Sequence, residues 1–130
     1  MITTSEVTKI SAIPEDRLYT MADIETLPEG QRAELVDGRI YRMAPPKLMH
    51  ERIVYQISRR IGNHIEEVGS DCVVLPSDAG VYIPNDAGVD FFQPDVKVVC
   101  DPSKLDEDGC KGAPDFIVEV LSKSTNDSCF

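Results

Sequence analysis

Pro94-Asp95-Val96-Lys97-Val98-Val99-Cys100 and Asp115-Phe116-Ile117-Val118-Glu119-Val120-Leu121-Ser122 are two short apolar, β-branched runs, each bounded by turn-forming residues. That composition predicts strands. Each run also carries a carboxylate, Asp95 at the start of one and Glu119 inside the other. A carboxylate in a strand-like apolar segment is costly to bury unless something compensates it, and a divalent cation is one such compensation. Strand alternation puts Val96, Val98 and Cys100 on one face and Asp95, Lys97 and Val99 on the other, while Glu119 shares a face with Ile117 and Leu121. On adjacent strands the two acids would converge at one end of a sheet.

Upstream, Ala33 to Val36 and Arg39 to Met43 flank Asp37-Gly38, a dipeptide that tolerates positive φ at both positions and signals a two-residue hairpin. With the turn at 37 and 38, Glu34 stands opposite Tyr41. Pro45-Pro46 ends that strand, and a long helix follows from about Lys47 to Val68, with Ile53, Ile57, Ile61, Ile65 and Val68, supported by Met49 and Val54, as its apolar stripe. His50 lies on the inward side near the helix start, and Gly69 stops the helix. A short helix is expected over 19–28, with Thr20 as N-cap. Cys72 to Leu75 and Ala79 to Ile83 are two further strands, and Pro84 to Gly88 and Asp101 to Gly112 read as loops. One long helix against a sheet of four to six strands defines an α/β (α+β) domain.

The 130 residues fit one domain, expected over 18–130, preceded by a flexible leader over 1–17. No run reaches membrane-spanning length and no signal peptide opens the chain, so a cytoplasmic, membrane-free protein is expected. Cys72, Cys100, Cys110 and Cys129 are scattered without zinc-like spacing, which together with that compartment predicts reduced thiols. The net charge of −10 runs against a basic nucleic-acid surface, and Arg59-Arg60 with scattered lysines forms no basic patch in sequence.

Glu34-Leu35-Val36-Asp37-Gly38-Arg39-Ile40-Tyr41-Arg42-Met43, the Pro-Pro and His50 that follow, Gln93-Pro94-Asp95-Val96, and the run from Gly112 through Glu119 to Ser122, Ser124 and Thr125 together resemble the Uma2 (DUF820) family of the PD-(D/E)XK nuclease superfamily. The likeness covers about Leu18 to Thr125, in order and spacing. It implies a restriction-endonuclease-like core, a mixed central β-sheet with a long packed helix. It also implies a Mg²⁺-dependent endonuclease, with Mn²⁺ able to substitute, hydrolysing nucleic-acid phosphodiester bonds, DNA before RNA. Carried over residue by residue, Asp95 is the Asp of the PD motif and Glu119 the acid of the following strand, both metal ligands. Glu34 matches the family's N-terminal glutamate, a further ligand, and His50 the histidine after the Pro-rich turn. Such a site activates a water held by the cation and offsets charge on phosphorus.

The sequence departs from the pattern at the lysine. Leu121 occupies the position two beyond Glu119, and the family's lysine is expected on a further helix, followed by an aromatic strand, both beyond this sequence. Lys97, on the strand face of Asp95, and Lys123 are the substitutes at hand. The alternative reading is a catalytically inactive nuclease fold serving as a dimerisation or protein-binding module. A homodimer is expected under either reading, because an uncovered sheet face and an unpaired edge favour pairing.

Overall fold

The computed structural model describes residues 17–76 and 78–121; the leader expected over 1–17 (all but Arg17), Lys123 and the Ser-Thr turn lie outside the described residues. Two sheets and one long helix make up an α+β domain. The elements are α1 (Met21–Glu25), β1 (Arg32–Val36), β2 (Arg39–Met43), α2 (Leu48–Glu67), β3 (Val73–Pro76), β4 (Gly80–Asn85), β5 (Gly88–Phe92), β6 (Val96–Val99), β7 (Leu105–Asp106), β8 (Gly109–Lys111) and β9 (Phe116–Val118), with a 3-10 turn at Pro102–Lys104. The larger sheet has the order β2-β1-β5-β4-β8-β7 and is mixed, because β4 and β8 run parallel. The smaller sheet, β3-β6-β9, is antiparallel.

The hairpin forms as its turn dictates. Asp37 and Gly38 take φ of 50° and 78°, and Glu34 pairs with Tyr41. In α1 the Asp23 carboxylate accepts the Thr20 N–H at 2.9 Å, a reciprocal cap of the kind that steadies a single helical turn. Helix α2 is capped by Lys47 and Val68, the bounds its periodicity predicts.

The inward face of α2 is not the isoleucine stripe as read from sequence. Val54 is the buried residue, Ile57, Ile61 and Ile65 are half-buried, and Ile53, Met49 and Val68 are exposed. The helix rests on the narrow β3-β6 surface, which covers less than the full stripe, and approaches closely at Gly62, where an added Cβ would lie 3.3 Å from Val74 Cγ1. The segments 84–88 and 101–112 are also not plain loops. The first contains the turn of a β4–β5 hairpin, and the second contributes β7 and β8. Strand β8 lies so close to β4 that Gly109, at φ 144°, has no room for a Cβ against the Gly80 backbone.

The core lies between the sheets, with Val81, Val99 and Cys110 fully buried and Leu75, Ile83, Phe92 and Leu105 packed on them. The expectation of reduced thiols also fails: Cys72 and Cys100 are joined as a disulfide. They are distant in sequence but flank the first β3–β6 pair, Val73 with Val99, so antiparallel pairing brings them together. Cys110 is free and buried. Among the described residues no helix is long and apolar enough to cross a membrane.

Candidate active site

The ladder between β6 and β9 ends with Val96 opposite Val118, so the next residues outward, Asp95 and Glu119, stand across from one another. They are latched reciprocally. The Asp95 N–H donates to Glu119 Oε1 at 2.9 Å, and the Val120 N–H donates to Asp95 Oδ2 at 2.7 Å. Side-chain oxygens here take the place of the ladder carbonyls, which fixes both carboxylates at the sheet end. His50, from the first turn of α2, adds a third contact, its Nε2 3.1 Å from Asp95 Oδ2.

Glu34 arrives from the other sheet. The Gln93 N–H donates to its Oε2 at 2.9 Å, tying β1 to the segment that leads into Asp95. Glu34 and Glu119 line one cavity of about 260 Å³ with Pro94, Pro114, Phe92 and Ile117. Its walls are largely apolar, and this shapes the electrostatics. Burial pushes the Glu119 carboxyl above the usual range; the hydrogen bond from the Asp95 amide pulls it back, and the charges of Asp95 and Glu34 raise it further. Negative charge is thus crowded around the Glu119 side of the cavity.

Lys97 is fully buried, two residues along the strand from Asp95. Its ammonium donates to Pro76 O at 2.9 Å and to Ala79 O in a shorter bond. Desolvation lowers its pKa to about 8, helped by Arg32 and opposed by Asp78, Asp95 and Glu119. The structure therefore brings Glu34, His50, Asp95 and Glu119 together and sets Lys97 behind them, its ammonium donating to carbonyls at the end of β3 and in the turn after it. Asp115 has a structural role that its sequence context does not signal. Its carboxylate accepts the Cys100 N–H at 2.6 Å and its N–H donates to Val98 O at 2.8 Å, holding the start of β9 against β6. No sequence signal distinguishes that aspartate from a turn residue.

The chemistry of the donor set suits a hard cation that prefers oxygen, since Glu34 and Glu119 line one cavity, Asp95 is latched to Glu119, and Glu34 and Glu119 each set one oxygen on a backbone amide. Among the described residues no three His, Cys, Asp or Glu side chains stand close enough together to hold a metal ion. A mixed sheet, a long helix and opposed acids at a strand end are the arrangement expected from the sequence resemblance. The Uma2 family model, described as "Putative restriction endonuclease", matches residues 18–129, and the chain belongs to that family. The chain is also 35% identical over 95 residues to the uncharacterized protein slr1290 of Synechocystis, a match covering 73% of this chain and 48% of the relative. The chain thus spans about half the length of that curated relative.

Proposed function

We propose that this chain hydrolyses nucleic-acid phosphodiester bonds at the Asp95–Glu119 site with Mg²⁺, or with Mn²⁺ in its place. The observation that carries the reading is the opposition of Asp95 and Glu119 at the end of the β6–β9 ladder, with Glu34 on the wall of the cavity that Glu119 lines. Carboxylates crowded in this way repel one another, and a cation is the economical neutraliser. Asp95, Glu119 and Glu34 would hold it. When bound, such an ion lowers the pKa of a water and withdraws charge from a phosphate oxygen.

The protein's own groups do the positioning. The amides of residues 93, 95 and 120 orient the three carboxylates, and His50 steadies Asp95 from the helix side. The buried Lys97 places a positive group behind the acids and moderates their mutual repulsion. The apolar lining of Pro94, Pro114 and Ile117 limits competing water.

Supercoiled-plasmid cleavage at millimolar Mg²⁺ or Mn²⁺ tests this. Wild type is expected to nick or cut, and Asp95→Asn and Glu119→Gln each to lose at least about a hundredfold in rate. An intact plasmid with wild type under both metals would sink the reading. One observation favours a second reading, a noncatalytic dimerisation or binding module: edge strand β9 leaves Phe116 and Ile117 exposed, with Leu121 beyond it. A carboxylate latch that survives in a soluble dimer without cleavage would support that role.

A further inference from the structure

We infer that the outer face of α2 is the surface along which a nucleic-acid backbone lies, with Arg52 and Arg60 as its phosphate contacts. The class of ligand rests on the nuclease reading; the surface rests on observations of its own. Across β2 and α2, from Arg39 to Glu67, the chain holds Arg39, Arg42, Lys47, Arg52, Arg59 and Arg60 against Glu51, Glu66 and Glu67, a net positive stretch although the whole chain is at −10. A basic segment in an acidic chain is a local field, and the local field is what phosphates meet.

Among the described residues the cations outside this segment are committed to partners, and within it Arg39 has a partner too and Arg59 donates to Gln56. Arg17 pairs with Asp23 at 2.8 Å, Arg32 lies 3.9 Å from Asp78, and Lys111 faces Asp106 and Asp108 at 3.5 and 3.6 Å. Lys97 and Lys104 donate to backbone carbonyls. Arg52 and Arg60 are exposed and make no ion pair among the described residues. They stand eight residues apart on one helix face, about 12 Å by helical rise. That distance spans three to four phosphates of one duplex strand, at about 3.4 Å each.

The shape agrees. Met49, Ile53, Gln56 and Ile57 lie between and beside the two arginines, and together they line a shallow depression of about 260 Å³. A cationic rim over an apolar floor suits a sugar–phosphate strand, whose charged and apolar groups alternate. The helix that carries this face also presents His50 to Asp95, from its other side and two residues before Arg52. A second copy fits poorly. A twofold pairing of α2 on α2 centred at Gln56 would set Arg52 against Arg60 of the other copy, like charge on like charge.

The test is fluorescence anisotropy of the full chain with a labelled 20-base-pair DNA duplex in EDTA, where binding is read without cleavage. R52E/R60E is expected to weaken binding at least about tenfold and to reduce the slope of log K against log salt by about 2. R52K/R60K is expected to keep most of the affinity, and R17E, off this face, to bind as wild type. Equal affinity and slope in wild type and R52E/R60E would overturn the assignment, as would an R52E/R60E protein that turns monomeric in sedimentation while wild type is dimeric. Wild type that binds no duplex even at low salt overturns the nucleic-acid reading as well. Binding in EDTA that depends on the arginines, without cleavage in Mg²⁺, upholds this surface and rejects only the catalysis.

Discussion

Lys97 is the residue whose burial has the clearest measurable consequence. It is fully inaccessible, its ammonium is held by two backbone carbonyls, and its pKa falls to about 8. A folded-state value below the unfolded 10.5 means that the folded chain binds fewer protons than the unfolded chain between those limits. Stability therefore rises with pH through that window. The stabilisation is complete above 10.5 and lost as pH falls through about 8. Urea unfolding at pH 7.5 and pH 10 should show wild type gaining up to about 3 kcal/mol relative to Lys97→Met, at 1.36 kcal/mol per pKa unit. Equal pH dependence in the two proteins would mean that Lys97 is solvated. Strand alternation made the shared face of Asp95 and Lys97 legible in sequence. That the ammonium would be held by carbonyls of the turn after β3 was not, because a nonlocal backbone turn supplies them.

At the scale of elements, what was local was legible. Asp37-Gly38 set the hairpin and the Glu34–Tyr41 pair, and the spacing of apolar residues bounded α2. What depended on distant partners was not. The β8 strand Gly109-Cys110-Lys111 is three residues long and forms because β4 lies parallel beside it, and nothing within 101–112 announces that. The choice of Val54 over Ile53 as the buried residue follows from the width of the β3-β6 surface, again a tertiary fact. The Cys72–Cys100 bridge has the same origin. It closes a sequence separation of 28 residues across β3 and β6, the strand that Asp95 leads into. In the chain-entropy account a loop of that length is worth about 3–4 kcal/mol. Cys72→Ser/Cys100→Ser should lower the unfolding free energy by about that amount in urea, with no further loss on adding reductant. Wild type whose urea midpoint ignores reductant would show that the clip does not form in solution.

For the whole molecule, net charge misleads. A chain at −10 looks unsuited to phosphates, but its cations are unevenly placed, numerous over β2 and α2 and, among the other described residues, matched to acids or carbonyls. The acids are uneven too. Glu34 reaches the cavity from the six-stranded sheet, while Asp95 and Glu119 close the three-stranded one. Assembly of the two sheets around Val81, Val99 and Cys110 therefore builds the site, and the same core that stabilises the domain brings like charges together. The opposition of Asp95 and Glu119 could be expected from two strand patterns, whereas their reciprocal amide latch could not, since it needs the ladder to end where it does. The most direct test of the carboxylate site as a cation site is calorimetric titration of Mn²⁺ into the full chain. Saturable binding in the micromolar to millimolar range, lost in Glu119→Gln and competed by Mg²⁺, is expected; no binding at millimolar Mn²⁺, or binding unchanged in Glu119→Gln, would rule out a cation site there.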